Sequence, residues 1–139
     1  MSLSKTFPAT IEAITDIKDY ILENISGLNV NKNKQTKIIL AVEELVVNII
    51  NYANMKKPEI VIEVNKDSYK LIVKIIDYGE PFNPLEVEDP DITLGIEERK
   101  IGGLGIFLVK KVVDEIYYKR EDDKNCVILI FNLNSGVST

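Results

Sequence analysis

The sequence predicts one α/β domain in which three helices are interleaved with about five strands. Long segments with apolar residues at helical spacing alternate with short apolar runs bounded by polar or glycine-containing stretches. The length, 139 residues, suits one core rather than two. Hydrophobic residues make up 45% and charged residues 28%, enough apolar material to bury that core and too much for a disordered chain.

Leu3 to Phe7 reads as an edge strand. Pro8 then opens a helix over about 9–26, with Ile11, Ile14, Ile17, Ile21 and Ile25 on one face before Gly27. Asn31 suits the N-cap of a second helix that reaches about Ala53. Its β-branched residues would also suit a strand, but a run that long without Gly or Pro exceeds an ordinary strand. After Pro58, Ile60 to Val64 and Tyr69 to Ile76 read as a hairpin about the polar Asn65-Lys66-Asp67-Ser68. From Asn83 to Ile101 the periodicity disappears and Pro84, Pro90 and Gly95 intervene. A long irregular stretch in a small domain is usually functional, often a lid. Gly102-Gly103-Leu104-Gly105 leads into a third helix over about 104–114. Ile116-Tyr117-Tyr118 and Val127 to Leu133 give the last strands, and the tail from Asn134 is expected to fray.

Composition removes whole classes of function. Lys+Arg is 17 against Asp+Glu 22, a net charge of -5, opposite in sign to the footprint that nucleic-acid binding usually shows. Histidine is absent, which excludes Ser-His-Asp triads, imidazole zinc sites and phosphohistidine chemistry carried by this chain. The single cysteine, Cys126, permits no intrachain disulfide, fits a reduced cytoplasmic setting and reads as a small buried apolar residue. No apolar stretch approaches the roughly 20 residues that span a bilayer, so no membrane association is expected.

Three clusters could carry chemistry. Glu44 and Asn48 lie four residues apart on the second helix, and Asn51 continues their ridge. The ridge reads either as a solvated face or as a narrow polar stripe between apolar flanks. A carboxylate plus an amide oxygen suits a magnesium ion that keeps several waters, with the free acid available to accept a proton. Glu43 lies about 100° round the helix, off that ridge. Asp77-Tyr78-Gly79 is either an ordinary turn after a strand or the seat of a ligand with an N–H edge, such as adenine. The glycines at 102, 103 and 105 form either a tight helix entry or an anion site of backbone N–H groups, to which Arg99 and Lys100 would add positive charge. No Gly-Lys-Ser/Thr follows, so this is not a P-loop, and Leu108 breaks a dinucleotide fingerprint counted from Gly103.

Taken in order, E-x-x-x-N at Glu44 and Asn48, D-x-G at Asp77 and Gly79, and G-G-x-G at Gly102, Gly103 and Gly105 resemble the N, G1 and G2 boxes of the GHKL (Bergerat-fold) ATPases. The likeness covers about residues 30–133. D-Y-G-E-P-F-N-P and G-G-L-G-I-F-L-V-K-K-V-V-D-E-I-Y-Y are similar, more narrowly, to the bacterial anti-sigma-factor serine kinases, where P-F, here Pro81-Phe82, follows the G1 box. The resemblance implies a two-layer α+β sandwich, a mixed and mostly antiparallel sheet with helices on one face. It implies that Asn48 coordinates magnesium on ATP or ADP, that Glu44 is the general base, and that Asp77 and Gly79 hold adenine. The three glycines would line the phosphates beneath a lid over about 83–101. Asn51, Pro81, Phe82, Arg99, Lys100 and Leu104 fall in or beside the same boxes and are expected to border the nucleotide. The implied activity is transfer of the ATP γ-phosphate to a serine of an anti-sigma-factor antagonist, with a sigma factor as alternative partner and a homodimer as the working form. A catalytically silent, nucleotide-gated binding module is the alternative, and the presence of Glu44 favours the kinase. Tyr52 stands where many superfamily members have the N-box histidine.

Overall fold

Alternation of apolar residues along the central strands builds the sheet. In the computed structural model, which describes residues 2–52, 55–67, 69–86 and 103–133, the elements run β1 (Ser2–Pro8), α1 (Ala13–Ile25), α2 (Lys32–Tyr52), β2 (Met55–Lys66), β3 (Lys70–Gly79), a 3-10 turn (Pro84–Glu86), α3 (Gly103–Val112), β4 (Glu115–Glu121) and β5 (Lys124–Asn132). The strand order is β1-β2-β3-β5-β4. One face of the central strands carries Ile60, Ile62 and Val64 of β2, Leu71, Val73 and Ile75 of β3, and Val127, Leu129 and Phe131 of β5, all buried. Register stacks them in rows, with Val73 between Val64 and Leu129, and Ile75 between Ile62 and Val127. Each such side chain contributes roughly 1.5–3 kcal/mol when removed from water.

The helices form the second layer. α2 contacts both α1 and α3, and its Ile38, Ala41, Val42, Leu45, Val46 and Ile49 join the sheet residues in one core. The other sheet face is not so covered, and Ile72, Ile76, Ile128 and Ile130 remain half-buried there. Cys126 on that face is buried, as expected, and desolvation pushes its thiol above the ordinary value of 9.0. Among the described residues no helix is long and apolar enough to cross a membrane.

A mixed sheet is expected from the resemblance, but among the described residues all four pairings are antiparallel. Connectivity explains it. Two helices separate β1 from β2, one running away and one back, and return the chain to the end of the sheet at which β1 finished. The single helix between β3 and β4 runs those strands the same way, but one strand apart, and β5 fills the gap antiparallel to both.

Element boundaries shift for local reasons. Pro8 ends β1, opposite Glu59, instead of opening α1, and the helix starts after a turn in which Ala13 N–H donates to Thr10 O. Edge strands tolerate proline at such positions. Gly27, at φ 87°, supplies the left-handed residue beyond the end of α1. Asn31 caps α2 as expected, its Oδ1 accepting Lys34 N–H at 2.8 Å. β2 begins at Met55, earlier than Ile60, through a register irregularity between the two. β4 and β5 are longer than expected because Asp122 and Asp123, at φ 50° and 62°, make a two-residue hairpin turn. The 3-10 turn occupies the start of the expected lid; residues 87–101 and the tail from 134 lie outside the described residues.

Asp114 ties the two layers together behind α3. Its Oδ2 accepts Asn132 N–H at 2.7 Å and Lys34 Nζ at 3.0 Å. Burial pushes its carboxyl up, but the bond from Asn132, the bond from Lys34 and the charges of Lys34 and Lys37 together bring it below the ordinary value of 3.8. A lowered folded-state value adds stability above 3.8 that is lost as pH falls through the folded value. Asp114→Asn is therefore expected to be less stable than wild type at pH 7 and to converge with it below pH 3.8, as measured by urea unfolding across that range.

Candidate functional site

Three elements converge at one end of the sheet. The inward face of β3 continues past Ile75 to Asp77 and Gly79, so a carboxylate follows Leu71, Val73 and Ile75 on the buried face. Gly79 lies within the strand and pairs with Met55, three residues beyond the end of α2. That connection brings the last turns of α2, with Asn48 and Asn51, to the Asp77 end of the sheet. The first turn of α3 reaches the same region, because the position that a Cβ of Gly105 would take lies 2.6 Å from Glu44 Oε2.

Asp77 is 2% exposed. Its Oδ1 accepts Gly79 N–H at 2.8 Å and the Asn125 amide at 3.0 Å. Its Oδ2 has no hydrogen-bond donor among the described residues. Asn48, 8% exposed, likewise has no protein hydrogen-bond partner among them. Buried polar groups are normally paired, so two unpaired ones at one end of the sheet mark it as the candidate site for a polar ligand. Oδ2 can accept an N–H, and the Asn48 oxygen can bind a cation. No group of three or more Cys, Asp or Glu gathers among the described residues, so a cation at Asn48 would take its other ligands from water and from the bound molecule.

Asn125 was not anticipated from sequence, yet it organises this end. It stands opposite Asp77 in the β3/β5 register and is 2% exposed. Its Nδ2 donates to Asp77 Oδ1 and, at 2.8 Å, to Glu80 O, while its Oδ1 accepts Tyr118 OH at 2.6 Å and Phe82 N–H at 3.1 Å. All its hydrogen-bonding capacity is used. Arg120 adds a second tie, donating to Gly79 O at 2.7 Å. The turn after β3 is thus fixed by β4 and β5. Beside it, a cavity of about 350 Å³ is bordered by Met55, Tyr78, Gly79, Pro81 and Arg120.

Of the residues singled out in the sequence, Glu44 and Asn48 share one ridge of α2, with Glu44 half-buried and Asn51 exposed in the last turn. Glu43 is committed elsewhere, to Lys18 at 2.9 Å. Pro81 is exposed, and Phe82 is 37% exposed with its N–H held by Asn125. Gly103, Leu104 and Gly105 form the first turn of α3, the side chain of Leu104 being outside the described residues. Arg99, Lys100 and Gly102 also lie outside them.

Among the described residues, an antiparallel sheet backed by three helices, with unpaired polar groups where α2, α3 and β3 meet, defines a class of two-layer sandwich with its candidate site at one end. The family model of the histidine kinase-like ATPase domain matches residues 7–131, and the chain belongs to that family. Among solved structures, the RsbU and RsbW domains of Rv1364c from Mycobacterium tuberculosis share the fold at TM-score 0.69 and 15% identity, over 96% of this chain and 32% of that one. This chain therefore spans about a third of the length of that protein chain. The SiaB-SiaC complex from Pseudomonas aeruginosa gives 0.59 and 14%, over 94% and 89% of the two chains. The catalytic domain of histidine kinase ThkA gives 0.53 and 18%, over 94% and 96%. At these identities the likeness is one of fold. No curated protein sequence matches the chain.

Proposed function

We propose that this chain is an ATP-dependent protein-serine kinase and anti-sigma factor, acting on a serine of an antagonist protein. The observation that carries the reading is the pair of buried, unpartnered groups, Asp77 Oδ2 and Asn48, at the end of the sheet where α3 begins. Asp77 accepts the adenine amine, and Gly79 leaves room for the base against the backbone. Asn48 is the protein ligand for magnesium, which when bound neutralises phosphate charge. The backbone at Gly102, Gly103, Leu104 and Gly105 receives the phosphates at the start of α3, and Arg99 and Lys100 add positive charge. Asn51, Pro81 and Phe82 border the nucleotide. Glu44 takes the proton of the attacking serine hydroxyl as its oxygen bonds to the γ-phosphorus and the bond to ADP breaks.

SiaB is solved as a complex with SiaC, and an RsbW domain shares a chain with an RsbU domain. Both arrangements fit a domain that works with a second protein, here an antagonist or a sigma factor, and as a homodimer.

Calorimetric titration with ATP and ADP, with and without magnesium, tests the site. Wild type is expected to bind in a magnesium-dependent way, and Asn48→Ala and Asp77→Asn each to weaken binding by roughly 1–3 kcal/mol. No binding by wild type would end the reading. Binding without phosphate transfer to any serine-bearing partner would replace it with a nucleotide-gated binding module.

A further inference from the structure

We infer that Gly105 is a positioning residue for Glu44: the space its missing side chain leaves is occupied by the Glu44 carboxylate, so the first turn of α3 sets where that carboxylate sits. This deepens the kinase reading and rests on it, because it gives Gly105 a task toward Glu44 in addition to lining the phosphates.

The geometry is specific. A Cβ on Gly105 would lie 2.6 Å from Glu44 Oε2, 3.6 Å from its Cδ and 3.9 Å from its Cβ. Non-bonded carbon and oxygen do not approach to 2.6 Å, so one of the two must yield. The nearest atom is the far end of a flexible side chain, whereas α3 is held from behind by the buried Ile106 and Val109. The carboxylate yields. Backbone φ at Gly105 is not in the left-handed region, so glycine is not required there for conformation, and a helix interior disfavours it relative to alanine. What glycine provides is clearance for one carboxylate. No described donor anchors Glu44 from another side, while its neighbour Glu43 is held by Lys18. The wall presented by α3 is therefore the contact that defines the position of the reacting oxygen.

Gly105→Ala separates this role from phosphate binding. The variant is expected to fold, since the helix gains a better former and the displaced group is mobile. The ¹³C resonance of the Glu44 side-chain carboxyl should move. Turnover of bound ATP, read at saturating MgATP as ADP formed with water as acceptor, should fall roughly tenfold or more, the sensitivity expected of a misplaced catalytic group. In a Glu44→Ala background the same substitution should have no further effect on turnover. An unmoved Glu44 resonance would overturn the inference, as would a turnover loss of the same size in the Glu44→Ala background, the signature of a glycine that acts without the carboxylate. A wild type that binds no MgATP would sink the kinase reading instead, and the Glu44 resonance would still decide whether Gly105 sets the carboxylate.

Discussion

Asn125→Asp is expected to destabilise the fold by about 3–5 kcal/mol at neutral pH, the range for a buried charge left without a partner. Asn125 Nδ2 is the donor that joins Asp77 Oδ1 to Glu80 O, and both side chains are 2% exposed. A carboxylate at 125 cannot donate, and it would face the Asp77 carboxylate at hydrogen-bond distance with little water to screen the repulsion. Urea unfolding at pH 7 measures the loss. The deficit should shrink on acidification, when a single proton shared between the two acids restores a hydrogen bond. Asn125→Leu removes the repulsion but strands Phe82 N–H, Tyr118 OH and Glu80 O. It is expected to fall between wild type and Asn125→Asp. Wild-type stability in the aspartate variant would mean that the amide is not the tie between β3 and β5.

Glu44→Ala is expected to lower phosphoryl transfer by about 10²- to 10⁴-fold, the usual contribution of a general base, while MgATP binding is retained. The control is its neighbour. Glu43→Ala removes an equal charge from the same helix, but that carboxylate is engaged by Lys18 at 2.9 Å, half-exposed at the α1 contact. Transfer should survive it, and any stability change should be under about 1 kcal/mol, as for a surface ion pair. Rates are read as ADP formed per bound ATP, alongside calorimetric affinities. Equal losses in the two variants would remove Glu44 from the chemistry, and a matching loss of affinity would make it a binding residue.

The parts of the fold legible in the sequence are those written locally. α2 declared itself by length and by the Asn31 cap, and the β2/β3 hairpin by alternation about Asp67, whose Oδ1 accepts Tyr69 and Lys70 N–H. The N, G1 and G2 motifs pointed to Glu44, Asn48, Asp77 and Gly105, and the chain does bring α2, β3 and α3 to one end of the sheet. Asn125 stayed hidden for a physical reason. β5 has apolar residues on both faces, with Cys126, Ile128 and Ile130 outward and Val127, Leu129 and Phe131 inward, so no period of two reveals which way Asn125 points. Its meaning depends on a partner 48 residues away in β3. The all-antiparallel order was equally non-local, since it follows from β5 inserting between β3 and β4. The Asp122-Asp123 turn lacks the usual glycine, which left β4 and β5 too short in the reading of the sequence.

The strand order β1-β2-β3-β5-β4 also dictates a timetable. In a chain made from its N-terminus, β1, β2 and β3 can pair as soon as they emerge, leaving Asp77 on an open edge. Only when the ribosome has passed residue 125 can β5 close that edge and lock the carboxylate in place. A nascent protein therefore completes the candidate site last, and every truncation short of β5 leaves β3 as an open, sticky edge with Asp77 unsecured.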